Sequence, residues 1–334
     1  MKKKFSLLIS ILISLSLVSC NDSTATLSNH QFPQTNTTLS NEFIIETSDD
    51  GRIDKIVSDL CSDEYMSRVV GTKENLLATK YIENFFRENN ISPFNGTDYL
   101  YSIDHSLNVL EYLYGDRNDV VVTKELHNVA SVIKGSDSKN AVFVTAHFDH
   151  VNDLQGAIDN ASGVSVMLEV AHKIKNATEN NPLSCDIVFV AFNSEETGLD
   201  GSTDFVSKYC DMYESCYNIN IDCVGHNDSS ALAMGCDYKA SKALYAAMTK
   251  TFDEENIKYT DESYASKNGR VYGTSDHLSF IRKGYPALVL GDNNILDIVH
   301  TCDDTIDAID FDKLDYLTTA VAKFIVNNNG NMFN

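Results

Sequence analysis

Short apolar stretches rich in Val, Ile and Phe alternate with helical periodicities along most of this chain, and that alternation restricts its fold more than any other feature. Val129–Ile133, Val142–Ala146, Ile187–Phe192, Ile219–Ile221, Leu232–Met234 and Ala287–Leu290 read as strands. Ile187–Phe192 is apolar at every position, as expected of a strand covered on both faces in a parallel sheet. Ile53–Leu60, Glu74–Asn89, Ser162–Ile174, Asp200–Tyr209, Ala240–Phe252 and Leu314–Val326 carry apolar residues at helical spacing. Such alternation predicts an α/β three-layer sandwich, with a mixed, mostly parallel sheet flanked by helices. No break in the pattern divides it, so residues 43–334 are expected to form one domain. Ligands of these sheets sit beyond the carboxyl ends of the strands, which directs attention to the residues that end them.

Residues 1–42 stand outside that pattern. Lys2, Lys3 and Lys4 precede an apolar run from Phe5 to Val18, which closes on Leu17-Val18-Ser19-Cys20. A basic start, an apolar core and small residues before a cleavage point predict a secretory signal over residues 1–19. The run is too short and one-sided for a membrane-spanning helix. A cysteine after Leu-Val-Ser resembles a bacterial lipoprotein lipobox, which implies lipidation of Cys20. Residues 20–42 are almost all polar and cannot bury enough surface to order themselves, so they are expected to be a flexible tether. The expectation is an exported domain touching a bacterial membrane, on its periplasmic or outer side, only through that lipid.

The formal net charge is −22, and removal of the signal would delete three lysines and no acid. That balance argues against nucleic acid and anionic membrane surfaces as partners. No glycine-rich phosphate loop is present. Besides Cys20 there are seven cysteines, with no Cys-x-x-Cys pair, so a cysteine zinc cluster is not expected. Cys210 and Cys216 are close enough in sequence to pair, although an odd total leaves one thiol free.

The chemistry-bearing residues cluster at strand ends. Val144–His150 closes a strand with His147-x-Asp149, and alternation lets both side chains share one face. A metal-bound imidazole usually needs an acceptor on its other nitrogen, a role Asp149 is placed to fill. Asp159-Asn160-Ala161-Ser162-Gly163 opens a helix, where Asp159 is either a helix cap or a carboxylate aimed at a cation. Glu195 and Glu196 leave the apolar strand together, and Gly198 permits the turn that would bring both to one site. Adjacent acids there are costly unless bound, paired or solvated. Asp222 ends a further strand, and His300 follows the apolar pair Ile298-Val299.

The order His, Asp, Glu, Asp, His and its flanking residues resemble the secreted co-catalytic dizinc aminopeptidases, of the bacterial leucyl aminopeptidase type. Glutamate carboxypeptidase II and the glutaminyl cyclases belong to the same superfamily. The resemblance runs from about Met66 to Phe324 and includes Arg68-Val69-Val70-Gly71-Thr72, Ser275-Asp276-His277-Leu278-Ser279-Phe280 and Gly284-Tyr285-Pro286-Ala287. It implies two zinc ions. His147 and Asp222 would hold one, Glu196 and His300 the other, and Asp159 would bridge them ahead of a cis peptide bond. Asp149 would orient His147, Glu195 would be the general base, and Tyr272 would hydrogen-bond the developing oxyanion. Asp276, His277 and Asp304 are expected to support the site from behind. Cys223 and Cys302 replace the methionine and proline common beside the ligands.

The implied activity is hydrolysis of N-terminal residues from peptides. A carboxypeptidase would need basic residues such as Arg270 and Arg282 to hold a free carboxylate. A glutaminyl cyclase would use tryptophans, and this chain has none. A non-catalytic surface binding lipoprotein would be expected to lack at least one of these acids or histidines.

Overall fold

The computed structural model describes residues 43–47, 50–103, 126–151, 154–235, 238–262, 266–267, 270–271 and 274–333, with the backbone alone for 266–267 and 270–271. The expected signal, Cys20, the expected tether and Tyr272 therefore lie outside the described residues. In chain order the elements are α1 (Arg52–Leu60), α2 (Lys73–Glu88), β1 (Ser92–Pro93), β2 (Leu100–Ser102), β3 (His127–Ile133), β4 (Asn140–His147), α3 (Gly163–Ala177) and β5 (Asp186–Phe192). They continue with α4 (Asp200–Tyr209), β6 (Ser215–Ile221), β7 (Leu232–Ala233), α5 (Lys242–Glu255), β8 (Tyr259–Thr260), β9 (Ser266–Lys267), β10 (Arg270–Val271), α6 (His277–Lys283), β11 (Ala287–Leu290) and α7 (Phe311–Asn327).

The main sheet runs β1-β3-β5-β4-β6-β11, with β2 also paired to β3. β5, β4, β6 and β11 are mutually parallel, while β3 meets β5 antiparallel. All seven positions of β5 are buried. Alternation along the strands sends their side chains into two different cores. Val142, Val144 and Ala146 of β4 face one side, where they join residues of α1, α2, α3, α5 and α7. Ala141 and Phe143 face the other, where α4 and α6 supply Phe205, Val206 and Phe280. The second core is aromatic: the Phe143 and Phe280 rings lie 5.4 Å apart, and Phe192 and Phe205 lie 5.9 Å apart. Helices on both faces of a mostly parallel sheet make the expected three layers. No helix among the described residues is long and apolar enough to cross a membrane.

β6 begins four residues before Ile219–Ile221, since the Asn218 side-chain amide finds acceptors inside the sheet. The Asn218 amide donates to Thr145 Oγ1 at 2.9 Å and to the Phe143 carbonyl at 3.2 Å. Buried amides persist where such partners exist. α6 has seven residues, too few for its periodicity to stand out in the sequence.

The ladder sets the place of the candidate site. His147 pairs with Phe192 across β4 and β5, and Thr145 pairs with Asn220 across β4 and β6. The carboxyl ends of the three strands thus finish side by side. His147, the Asn193–Gly198 turn and Asp222 share that edge.

Candidate metal centre

His147 is the last residue of β4, and its side chain is 1% exposed. Its Nε2 lies 3.3 Å from Asp222 Oδ1 and 3.2 Å from Asp159 Oδ1. The other Asp159 oxygen, Oδ2, lies 2.9 Å from His300 Nε2, which is 3.0 Å from Glu196 Oε1. One carboxylate therefore sits between two histidines, each of which has a further carboxylate of its own.

Asp159 reaches this position through an irregular turn, residues 157–162, that precedes α3. The Asp159–Asn160 peptide is cis. Of the two roles open to Asp159, capping falls to its neighbour: Asn160 Oδ1 accepts the Gly163 amide at 2.9 Å. The Asn160 amide also donates to the Ile221 carbonyl at 2.9 Å, tying the turn to the end of β6. On the far side, Asp304 accepts the main-chain amides of Ile158 at 2.6 Å and Asp159 at 3.2 Å. Arg68 is fully buried beneath the site, where its guanidinium donates to the carbonyls of Leu60, Phe148, Gln155 and Gly156.

Asp149 behaves differently from the sequence expectation in one respect. His147 Nδ1 meets the main-chain carbonyl of Asp149 at 3.2 Å, while the nearer carboxylate oxygen is 3.7 Å away. The carboxylate instead accepts the amides of Glu195 and Glu196, each at 3.1 Å. Two main-chain amides on one buried carboxylate fix the acidic turn.

The shell carries a strong excess of negative charge. Asp149, Asp159, Asp222, Asp276 and Asp304 are buried, and Glu195 and Glu196 are half-buried, around the imidazoles of His147, His150 and His300. Burial opposes protonation of His147, yet Asp222 and Glu195 hold it well above its usual value. Hydrogen bonds to Asp159 and then Glu196 push His300 up to about 10. Loss of water pushes the Glu195 carboxyl well above its usual range, and burial takes Asp276 to about 7. A pocket that binds protons this strongly has the potential that binds cations. Its nitrogen and carboxylate donors suit zinc. Two three-residue sets have donors mutually within 4.8 Å: His147 with Asp159 and Asp222, and His150 with Asp159 and Glu196. The residues present therefore fit two divalent ions.

His150 was given no role by the sequence. Its signal was position alone, one residue beyond the His-x-Asp pair. Glu195 and His300 belong to neither set of donors, although His300 Nε2 lies 3.0 Å from Glu196 Oε1. Cys223 is buried and Cys302 exposed. Cys210 and Cys216 are free thiols buried behind the sheet, neighbours close enough for hydrogen bonding. The Arg270 side chain lies outside the described residues. Burial takes the His277 imidazole down to about 4, and nearby Arg282 acts in the same direction.

Residues 128–325 match Peptidase family M28. Aminopeptidase YwaD of Bacillus subtilis (strain 168) is 31% identical over 207 residues, 58% of this chain and 44% of that protein. The chain thus spans less than half the length of that relative. Among solved structures, the LapA aminopeptidase of Legionella pneumophila shares the fold with a TM-score of 0.66 at 17% identity, covering 86% of this chain and 73% of LapA. BSAP, a zinc aminopeptidase from Bacillus subtilis, does so with a TM-score of 0.62 at 19% identity, covering 84% and 95%.

Proposed function

This chain belongs to peptidase family M28, and we propose that it is a zinc-dependent aminopeptidase that removes N-terminal residues from peptides. The observation that supports it most is the position of Asp159, whose two oxygens face His147 and His300 separately. His147 and Asp222 would hold one zinc and His300 and Glu196 a second, with Asp159 shared. Zinc held there supplies Lewis acidity toward a carbonyl oxygen and can bring the pKa of a bound water to about 7.

The chain's own residues do the rest. Asp149 fixes the turn that presents Glu195 and Glu196 through their amides. Glu195 accepts the proton of the attacking water on its carboxylate and returns it to the departing amine. Positioned groups of this kind typically contribute about 10²–10⁴-fold. Asp304 and Arg68 hold the main chain around Asp159, and so hold the carboxylate between its histidines. Tyr272 is proposed to donate a hydrogen bond to the oxyanion. In the same reading the protein is exported and retained by lipid on Cys20, which mass spectrometry of the mature N-terminus would test.

Hydrolysis of a panel of aminoacyl-nitroanilides, after chelation and again after reloading with zinc, tests the activity. Zinc-restored cleavage of unblocked substrates with refusal of N-acetylated ones supports an aminopeptidase. Two bound zinc ions without such cleavage favour a carboxypeptidase-like specificity, and no bound metal favours a binding protein.

A further inference from the structure

Buried polar groups are nearly always hydrogen-bonded, so an exception calls for a reason, and an ion is one. The His150 side chain is 0% exposed, and neither ring nitrogen has a hydrogen-bond partner among the described residues. Its Nδ1 lies 3.7 Å from Glu196 Oε1, too far for a hydrogen bond. Yet it falls in one donor set with Glu196 and Asp159. Bonds of about 2.0–2.2 Å to one zinc place neighbouring donors about 2.9 Å apart at right angles and about 3.6 Å apart at 120°. The separation therefore fits two ligands of one ion.

The surroundings leave room for this ring. Gly156 has φ +57°, and a Cβ there would come within 2.7 Å of His150 Cγ. Arg68 holds that glycine's carbonyl at 2.9 Å, and its own carbonyl receives the His150 amide at 3.4 Å. The His300 ring stands on the other side, 6.0 Å between centroids and edge-on.

We propose that His150 is a further ligand of the second metal position, beside Glu196, His300 and the shared Asp159. The inference rests on the two-metal reading above. It makes the two positions chemically unequal: one imidazole with two carboxylates at the first, two imidazoles with two carboxylates at the second. The second position then has the fuller protein coordination and is the slower to exchange.

Zinc content and affinity, by competition with a chromophoric chelator, would be compared between the wild-type protein, His150→Asn and the bulkier His150→Phe. The expected result is loss on the order of 100-fold in affinity for one of two ions, at or above the effect of removing an outer hydrogen-bond partner. The other ion stays in place. X-ray absorption of the wild-type protein, which needs no variant to fold, should detect three imidazoles shared over two zinc ions. Two ions with unchanged affinities in the variants, or two imidazoles in the wild-type spectrum, overturn the assignment of His150 alone. No zinc bound to the wild-type protein overturns the two-metal reading and this inference together.

Discussion

The two halves of the candidate centre are built from different material. His147 and Asp222 are 1% and 2% exposed and finish adjacent paired strands, so ladder hydrogen bonds set their spacing. Glu196 and His300 come from irregular segments. His300 has a backbone φ of +60° and a side chain 48% exposed. The first half cannot move without moving the sheet. The second is set by a turn and a loop outside the sheet, and through His300 it opens toward solvent. A hydrolytic site needs both properties, one to hold geometry and one to admit a substrate.

Asp159 joins the halves, so its loss should remove the contrast altogether. Asp159→Ala is expected to release both metal ions and to lower kcat/KM by about 10⁴-fold or more, beyond the loss from a single electrostatic donor. Metal analysis alongside kinetics checks this, and one retained ion would show that the halves are independent. Glu195→Gln should leave both halves loaded while kcat falls about 10²–10⁴-fold. Full activity in that variant would remove Glu195 from the role of base.

Stability separates the halves directly. In metal-free protein, His147→Ala leaves Asp159 and Asp222 buried beside a void, at a cost of about 2–4 kcal/mol. His300→Ala, at a half-exposed position, should cost no more than about 1 kcal/mol. Urea unfolding measures both, and equal losses would break the comparison. An effect between these two is expected at Gly163. A Cβ there would press on Asn160 Oδ1 and the Ile221 carbonyl, the contacts that tie the Asp159 turn to β6. Gly163→Ala should therefore destabilise by about 1–2 kcal/mol by overpacking, despite alanine's better helix propensity. A stabilised variant would mean the turn relaxes more freely than the buried half requires.

Much of the architecture was legible before any coordinates. α4 and β11 have the bounds their apolar patterns indicate, because a covered strand and an amphipathic helix each write their period into the sequence. β1 and β2 were not legible, at two and three residues, and neither was the antiparallel pairing of β3 with β5. Periodicity says that a strand exists and leaves its neighbour and direction unspecified.

The site divides in the same way. The sequence by itself determined which side chains stand at strand ends, since a polar residue closing an apolar run has only the edge of the sheet to occupy. Only the tertiary structure decided that Asp159 faces two histidines while Asn160 caps the helix. It also decided that Asp149 receives the amides of Glu195 and Glu196, and that Asp304 braces Ile158 from 146 positions away. It alone brought His150 to Glu196. Such convergence depends on strand register and on loops closed by contacts far apart in the chain, and no local pattern of hydrophobicity or charge encodes either.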